Sequence, residues 1–167
     1  CTAEALIRAL HRFEGRGIAS VSAVARGAYM RWLSTQGEQA RMFGDPGWLV
    51  GIPELHSCRA PGATCLSALQ SGGSGTPTHP VNDSKGCGGV MRVAPVGLAR
   101  FEDPFAIGCE VAAVTHGHPS GFLTAGYLAL VVSDVSRGAE LRDVCYRALG
   151  RVAKERGHEE TTAAVEA

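Results

Sequence analysis

The feature that most limits how this chain folds is the spacing of its apolar residues. From Val21, apolar side chains return at Val24, Ala25, Ala28, Trp32 and Leu33. Steps of three and four residues line one side of an α-helix and have no coherent place on a strand. The same spacing runs through Leu6, Ala9, Leu10 and Phe13, and again through Leu141, Val144, Cys145, Ala148, Leu149 and Val152. No alternating apolar and polar run is long enough to make a strand, and no internal repeat is visible. The predicted fold class is all-α, a multi-helix orthogonal bundle with long loops.

Local signals set the expected boundaries. Thr2 and Ser20 are expected to cap the first two helices, the first running to about Phe13. A loop from about Gly37 follows, with Gly44, Pro46, Gly47 and Pro53 as breakers. "APGATCLSAL" restarts a helix with Thr64 as its cap, and "SGGSGTPTHP" is a loop of turn residues. "VMRVAPVGLAR" reads as helical but kinked at Pro95. Asp103 and Pro104 form a cap and a first-turn proline, opening a helix to about Thr115. Ser120 is expected to begin the next, "GFLTAGYLALVVSDV", which is apolar nearly all round and so central. Gly157 is expected to end the helix that follows.

Sixteen basic residues balance sixteen acidic ones, which removes the footprint of a nucleic-acid binder. The longest clean apolar run, Tyr127 to Val132, is too short to span a membrane, and no secretory signal is evident. Six cysteines, at 1, 58, 65, 87, 109 and 145, follow no disulfide or C-x-x-C spacing and read as thiols of a reducing, cytoplasmic compartment. Without a heptad seam the expected state is a monomer. The chain starts at Cys1 already in a helical pattern and closes on "GHEETTAAVEA" within another. Residues 1–167 are therefore read as one domain truncated at both ends.

The densest chemical signal is "NDSKGCGGVMR", Asn82 to Arg92, where a polar cluster and three glycines precede a helix-like run. Free amides at a helix start attract an anion, and glycines let it approach the backbone. With the Ser84 hydroxyl and the Lys85 cation, Ser84 to Gly89 reads as a cradle for a phosphate or pyrophosphate. A tight turn or a close helix crossing explains the same glycines. The named phosphate motifs and the G-x-S-x-G elbow are absent. A second constellation, "VTHGHPSG", lies between two expected helices. His116 there is suited to contact a ligand, or one of His116 and His118 caps the preceding helix's last carbonyls.

Other chemistries have thinner support. His56, Cys58, His116 and His118 lack zinc-finger spacing. Aspartates 45, 83, 103, 134 and 143 are isolated, and the adjacent Glu159 and Glu160 lie on a solvated terminus, so these residues supply no magnesium site. Cys87 near a helix start, with His116 as base, is a conceivable nucleophile, but its small size at a close turn explains it equally. Arg92 is expected to hold a phosphate or, more simply, a neighbouring carboxylate.

"NDSKGCGGVMRVAPVGL" followed by "VTHGHPSGFLTAGYLA" resembles the ADP-ribosylglycohydrolase family, the group that includes the dinitrogenase reductase-activating glycohydrolase. "AYMRWLSTQG" and "APGATCLSAL" are similar to family segments in the expected order, and the resemblance runs from about Thr2 to about Val152. It implies an all-α fold around an ADP-ribose cleft. It also implies hydrolysis of an N- or O-glycosidic bond in ADP-ribosylated proteins or small conjugates, with magnesium or manganese as cofactor. Carried over by position, Ser84, Lys85, Gly86, Cys87 and Gly88 would bind the pyrophosphate and neighbouring ribose, and His116 would contact the ADP-ribose. The family's T-D-D-T and D-x-D-[ST] metal motifs are not in these residues. The resemblance therefore implies the central part of such an enzyme, with no metal ligand or catalytic residue of its own and no activity by itself. Two other functions stay open: a binder of ADP-ribose or a nucleotide that does not cleave it, and a purely structural helical protein.

Overall fold

A computed structural model describes residues 1–37, 46–72 and 74–167. Gly44, Asp45 and Gly73, which figured among the breaker, aspartate and loop readings, lie outside the described residues. Eight α-helices and no strand are present among the described residues. They are α1 (Thr2–Arg16), α2 (Val21–Thr35), α3 (Ala63–Gln70), α4 (Ala94–Leu98), α5 (Pro104–Ala113), α6 (Pro119–Ser136), α7 (Leu141–Val152) and α8 (Glu159–Glu166). Single 3-10 turns occupy Leu49–Gly51, Pro53–His56 and Val90–Arg92.

Helix α6 is the hub, lying against α4, α5, α7 and α8. Its position follows from its sequence, since an element apolar nearly all round is stable only when surrounded. Its contact with α5 is the most extensive between helices among the described residues, and glycines on both helices set how close they come. A Cβ on Gly108 would lie 2.8 Å from Ala129 Cβ, and one on Gly126 would lie 2.9 Å from the Phe105 carbonyl oxygen. Helix α2 buries Val21, Ala25, Ala28 and Leu33, the stripe its spacing demands. Helix α7 buries Val144, Ala148 and Val152, whereas Leu141 stays exposed.

Several expected ends are corrected. Thr2 is not a cap. It is the first residue of α1, and its hydroxyl pairs with Tyr29 Oη at 2.9 Å. The buried side of α1 is Ala5, Leu6 and Ala9; Phe13 remains exposed because α1 meets α2 and α4 with its other side. Thr64 lies inside the first turn of α3, capped by Gly62, and turns its hydroxyl toward Ser84. Helix α6 begins one residue before Ser120, because His118 accepts the Ser120 amide at Nδ1 and Pro119 takes the first position. Pro95 does not kink a continuous helix. It opens the short α4, after a separate 3-10 turn. Helix α5 stops at Ala113, and α7 stops at Val152, five residues before Gly157. The Ser20 and Asp103 caps form as expected, accepting from the amides of Ala23 and Ala106. No helix among the described residues is long and apolar enough to cross a membrane.

Candidate functional site

The glycine loop is built from Asn82 outward. Asn82 Oδ1 accepts the amides of Ser84 (3.1 Å) and Gly117 (3.0 Å), and its Nδ2 donates to the Thr115 carbonyl at 2.9 Å. One side chain thus fastens the loop to the α5–α6 turn, 33 to 35 residues away. Ser84 continues the scaffold. Its hydroxyl accepts the Gly86 amide at 3.2 Å and meets Thr64 Oγ1 at 3.2 Å. The amides of Lys85, Cys87 and Gly88 donate to no carbonyl among the described residues.

His116 lies directly against this loop. A Cβ on Gly88 would stand 2.9 Å from its Cε1, and one on Gly86 would stand 3.3 Å from its Nε2. The close approach of an imidazole, not an unusual backbone angle, requires glycine at 88 and leaves a tight fit at 86. On the far side of the turn, a Cβ on Gly89 would meet the Gly121 carbonyl at 2.8 Å. The cradle and the close-crossing readings of the three glycines are therefore compatible: two seat a ring and the third seats a helix.

The ring is only 2 % exposed, and Nδ1 pairs with the Thr115 hydroxyl at 2.8 Å. Burial, reinforced by the nearby Arg92 guanidinium, pushes its pKa down to about 4. His116 is consequently a neutral hydrogen-bonding ring near pH 7. His118 points elsewhere and caps α6, the opposite helix end from the one expected of a capping histidine.

Arg92 is a correction. It pairs with no carboxylate among the described residues. Its Nη2 donates to the carbonyls of Val111 (2.7 Å) and Ala112 (3.2 Å) at the end of α5, and its guanidinium stacks on Tyr29 with 4.3 Å to the ring centre. That geometry satisfies carbonyls the helix leaves open and adds a cation–π contact. Burial pushes the Tyr29 phenol pKa up, the neighbouring arginine opposing the shift. Lys85 also turns away from the loop, to Glu160 of α8 at 2.5 Å. The second Glu160 oxygen accepts the Ser120 hydroxyl at 2.7 Å, so Glu160 is a bridging group and not merely solvated.

Between the loop and the starts of α1 and α3 lies a groove of about 530 Å³. Gly86, Cys87, Gly88 and His116 form one wall, Thr64 and Cys65 another, with Tyr29 and Trp32 beyond. Sequence reasoning placed Ser84, Gly86, Cys87, Gly88 and His116 together. It missed Asn82 as the fastener and the aromatic pair on α2. Tyr29 and Trp32 had a usable signal, since two aromatics three residues apart share a helix face. Two further cavities, of about 250 and 570 Å³, include neither the loop nor His116. No cluster of three or more metal-ligating side chains occurs among the described residues, so His56, Cys58, His116 and His118 do not converge.

A helical bundle whose longest described helix starts beside a glycine loop, with a neutral histidine under that loop and a groove before it, is an all-α protein with a candidate ligand site. The family to which the arrangement belongs is shown by comparison: the family model for ADP-ribosylglycohydrolase matches residues 1–167, the entire chain, and the protein is a member of that family. Membership places it among hydrolases of the glycosyl-hydrolase type. No curated protein and no solved structure matches the chain.

Proposed function

We propose that the groove binds ADP-ribose, with the diphosphate against the amides of Lys85, Cys87 and Gly88, and that it supports hydrolysis of ADP-ribosyl conjugates in the whole protein. The observation that carries this reading is the seating of His116 under Gly86 and Gly88, beside amides that have no carbonyl partner. Amide donors held in place beforehand bind a phosphate without the entropy cost of ordering a loop. Neutral His116 supports the loop from beneath and presents a ring edge rather than a charge. A 530 Å³ groove is in the range that holds a drug-sized ligand.

Hard divalent cations take carboxylate oxygens, and among the described residues none lines the groove. The buried Glu4 is committed to Arg8 at 2.5 Å and Arg31 at 3.0 Å. The described residues therefore do not fit the magnesium or manganese that the resemblance implies, and their part is confined to binding and orientation. That lack of a carboxylate favours a second reading, binding without cleavage, for this chain taken alone. Its six unpaired cysteines suit the cytoplasm.

Titration calorimetry with ADP-ribose tests the proposal. Saturable binding is expected, with a rise in stability of about 2.7 kcal/mol when the ligand is at a hundred times its Kd. Gly88→Val, which drives a side chain into the imidazole, is expected to lower affinity at least tenfold. Absence of saturable binding to the wild-type chain overturns the reading. Release of ADP-ribose from a conjugate by the 167-residue chain alone would overturn the division between binding and cleavage.

A further inference from the structure

Three of the six cysteines, Cys1, Cys65 and Cys87, line the groove that the glycine loop and His116 define. All three are unpaired. Cys87 is exposed and sits between Gly86 and Gly88, so no neighbouring Cβ shields its sulfur from solvent. Cys65 stands on the other wall and is less open. Its Sγ would lie 3.2 Å from a Cβ on Gly88, and Arg92 Nη1 donates to it at 3.9 Å. The remaining cysteines differ in placement. Cys58 is exposed but lies outside the groove, and Cys109 is buried, with burial pushing its thiol pKa up to about 12.

The uses already derived for this loop need its backbone amides and its lack of Cβ atoms at 86 and 88. They give no role to a thiol at 87. An exposed thiol on the wall of this groove does, however, couple its occupancy to chemistry at sulfur. Anything bonded there takes the space in which a ligand would lie.

We propose that Cys87 is a thiol modification site whose reversible capping closes the groove, making occupancy depend on redox conditions. A peroxide oxidises the thiol to a sulfenic acid and is reduced to water: Cys–SH and HOOH give Cys–SOH and H₂O. A small thiol then attacks the sulfenic sulfur. An S–S bond forms, the S–O bond breaks, and the hydroxyl leaves as water with the attacking thiol's proton. The product is a mixed disulfide at residue 87, which fills the space before Gly86, Gly88 and His116. A reducing thiol exchanges with it and reopens the groove. That the excluded ligand is ADP-ribose rests on the function proposed above; the capping and its local effect do not.

The test treats the full chain with hydrogen peroxide and then glutathione. Peptide mass mapping locates the cap, and calorimetry measures ADP-ribose affinity before treatment, after it, and after dithiothreitol. Capping of Cys87 is expected to lower affinity at least tenfold, with recovery on reduction. Cys58→Ser is expected to keep this sensitivity. Cys87→Ser is judged only against its own untreated affinity, and that ratio is expected to stay within twofold. A second readout needs no ADP-ribose. Alkylation of Cys65 by iodoacetamide, followed by peptide mapping, is expected to slow at least fivefold once Cys87 is capped. If the untreated chain binds no ADP-ribose, the functional reading falls, and the Cys65 rate still decides this one. Unchanged Cys65 alkylation with Cys87 capped, or a Cys87 that stays uncapped while Cys58 is capped, overturns the proposal.

Discussion

The α5–α6 crossing and the Asn82–Arg92 loop both depend on glycine for close approach, yet they use that closeness differently. At Gly108 and Gly126 the missing Cβ makes room for the side chains of Ala129 and Cys109 and for the facing helix's backbone, and the gain is packing alone. At Gly86 and Gly88 backbone meets the edge of an imidazole, and the same two residues line a groove. Glycine in the first region serves the core. In the second it shapes a surface that a ligand can use. The comparison teaches that glycine density alone does not mark a site; what the missing Cβ makes room for does.

The largest expected effect separates the regions by pH. Burial depresses the His116 pKa to about 4, below the unfolded value near 6.5. Between those values the unfolded chain binds a proton that the folded chain refuses. The stability from this group is therefore full above about pH 6.5 and is lost as pH falls toward 4. The loss is at most about 3 kcal/mol, each pKa unit being worth about 1.4 kcal/mol. Denaturant titrations of wild type and His116→Gln across this window check it: the wild-type slope is expected to exceed the variant's. A matching slope would remove the distinction drawn for the loop.

Gly126→Val attacks the other region. Overpacking against the Phe105 backbone is expected to cost about 2 kcal/mol, seen as a Tm lower by several degrees, while ADP-ribose affinity in the folded protein changes less than twofold. Asn82→Ala is expected to cost about 1.5 kcal/mol, since it strands two amides and a carbonyl. Unlike the core change, it should weaken ADP-ribose binding as the loop loosens. Smallest of all is Lys85→Ala. Both ends of its ion pair with Glu160 are about half exposed, so Tm is expected to move by no more than about 2 °C and affinity by no more than about threefold.

The helical class and the central place of α6 were legible because each follows from periodicity, which a single sequence displays in full. Helix ends were less legible. Thr2, Thr64 and Ser120 are all good capping residues, but each makes a tertiary contact or yields to a neighbour one step away. The loop and His116 were found as separate segments; their contact depends on Asn82, whose three partners include two on a distant turn. Arg92 was misread because its partners are main-chain carbonyls, which every residue has and no motif announces.

The commitments of Arg92 carry a consequence for how a charged ligand would be held. Among the described residues it is the one formally charged side chain lining the groove, and its Nη2 is already committed to the α5 carbonyls while its plane stacks on Tyr29. Attraction for a diphosphate would then rest on fixed amide dipoles rather than on mobile cations. Few counterions would be exchanged on binding, so affinity should decline only gently as ionic strength rises, unlike that of a lysine-built anion site.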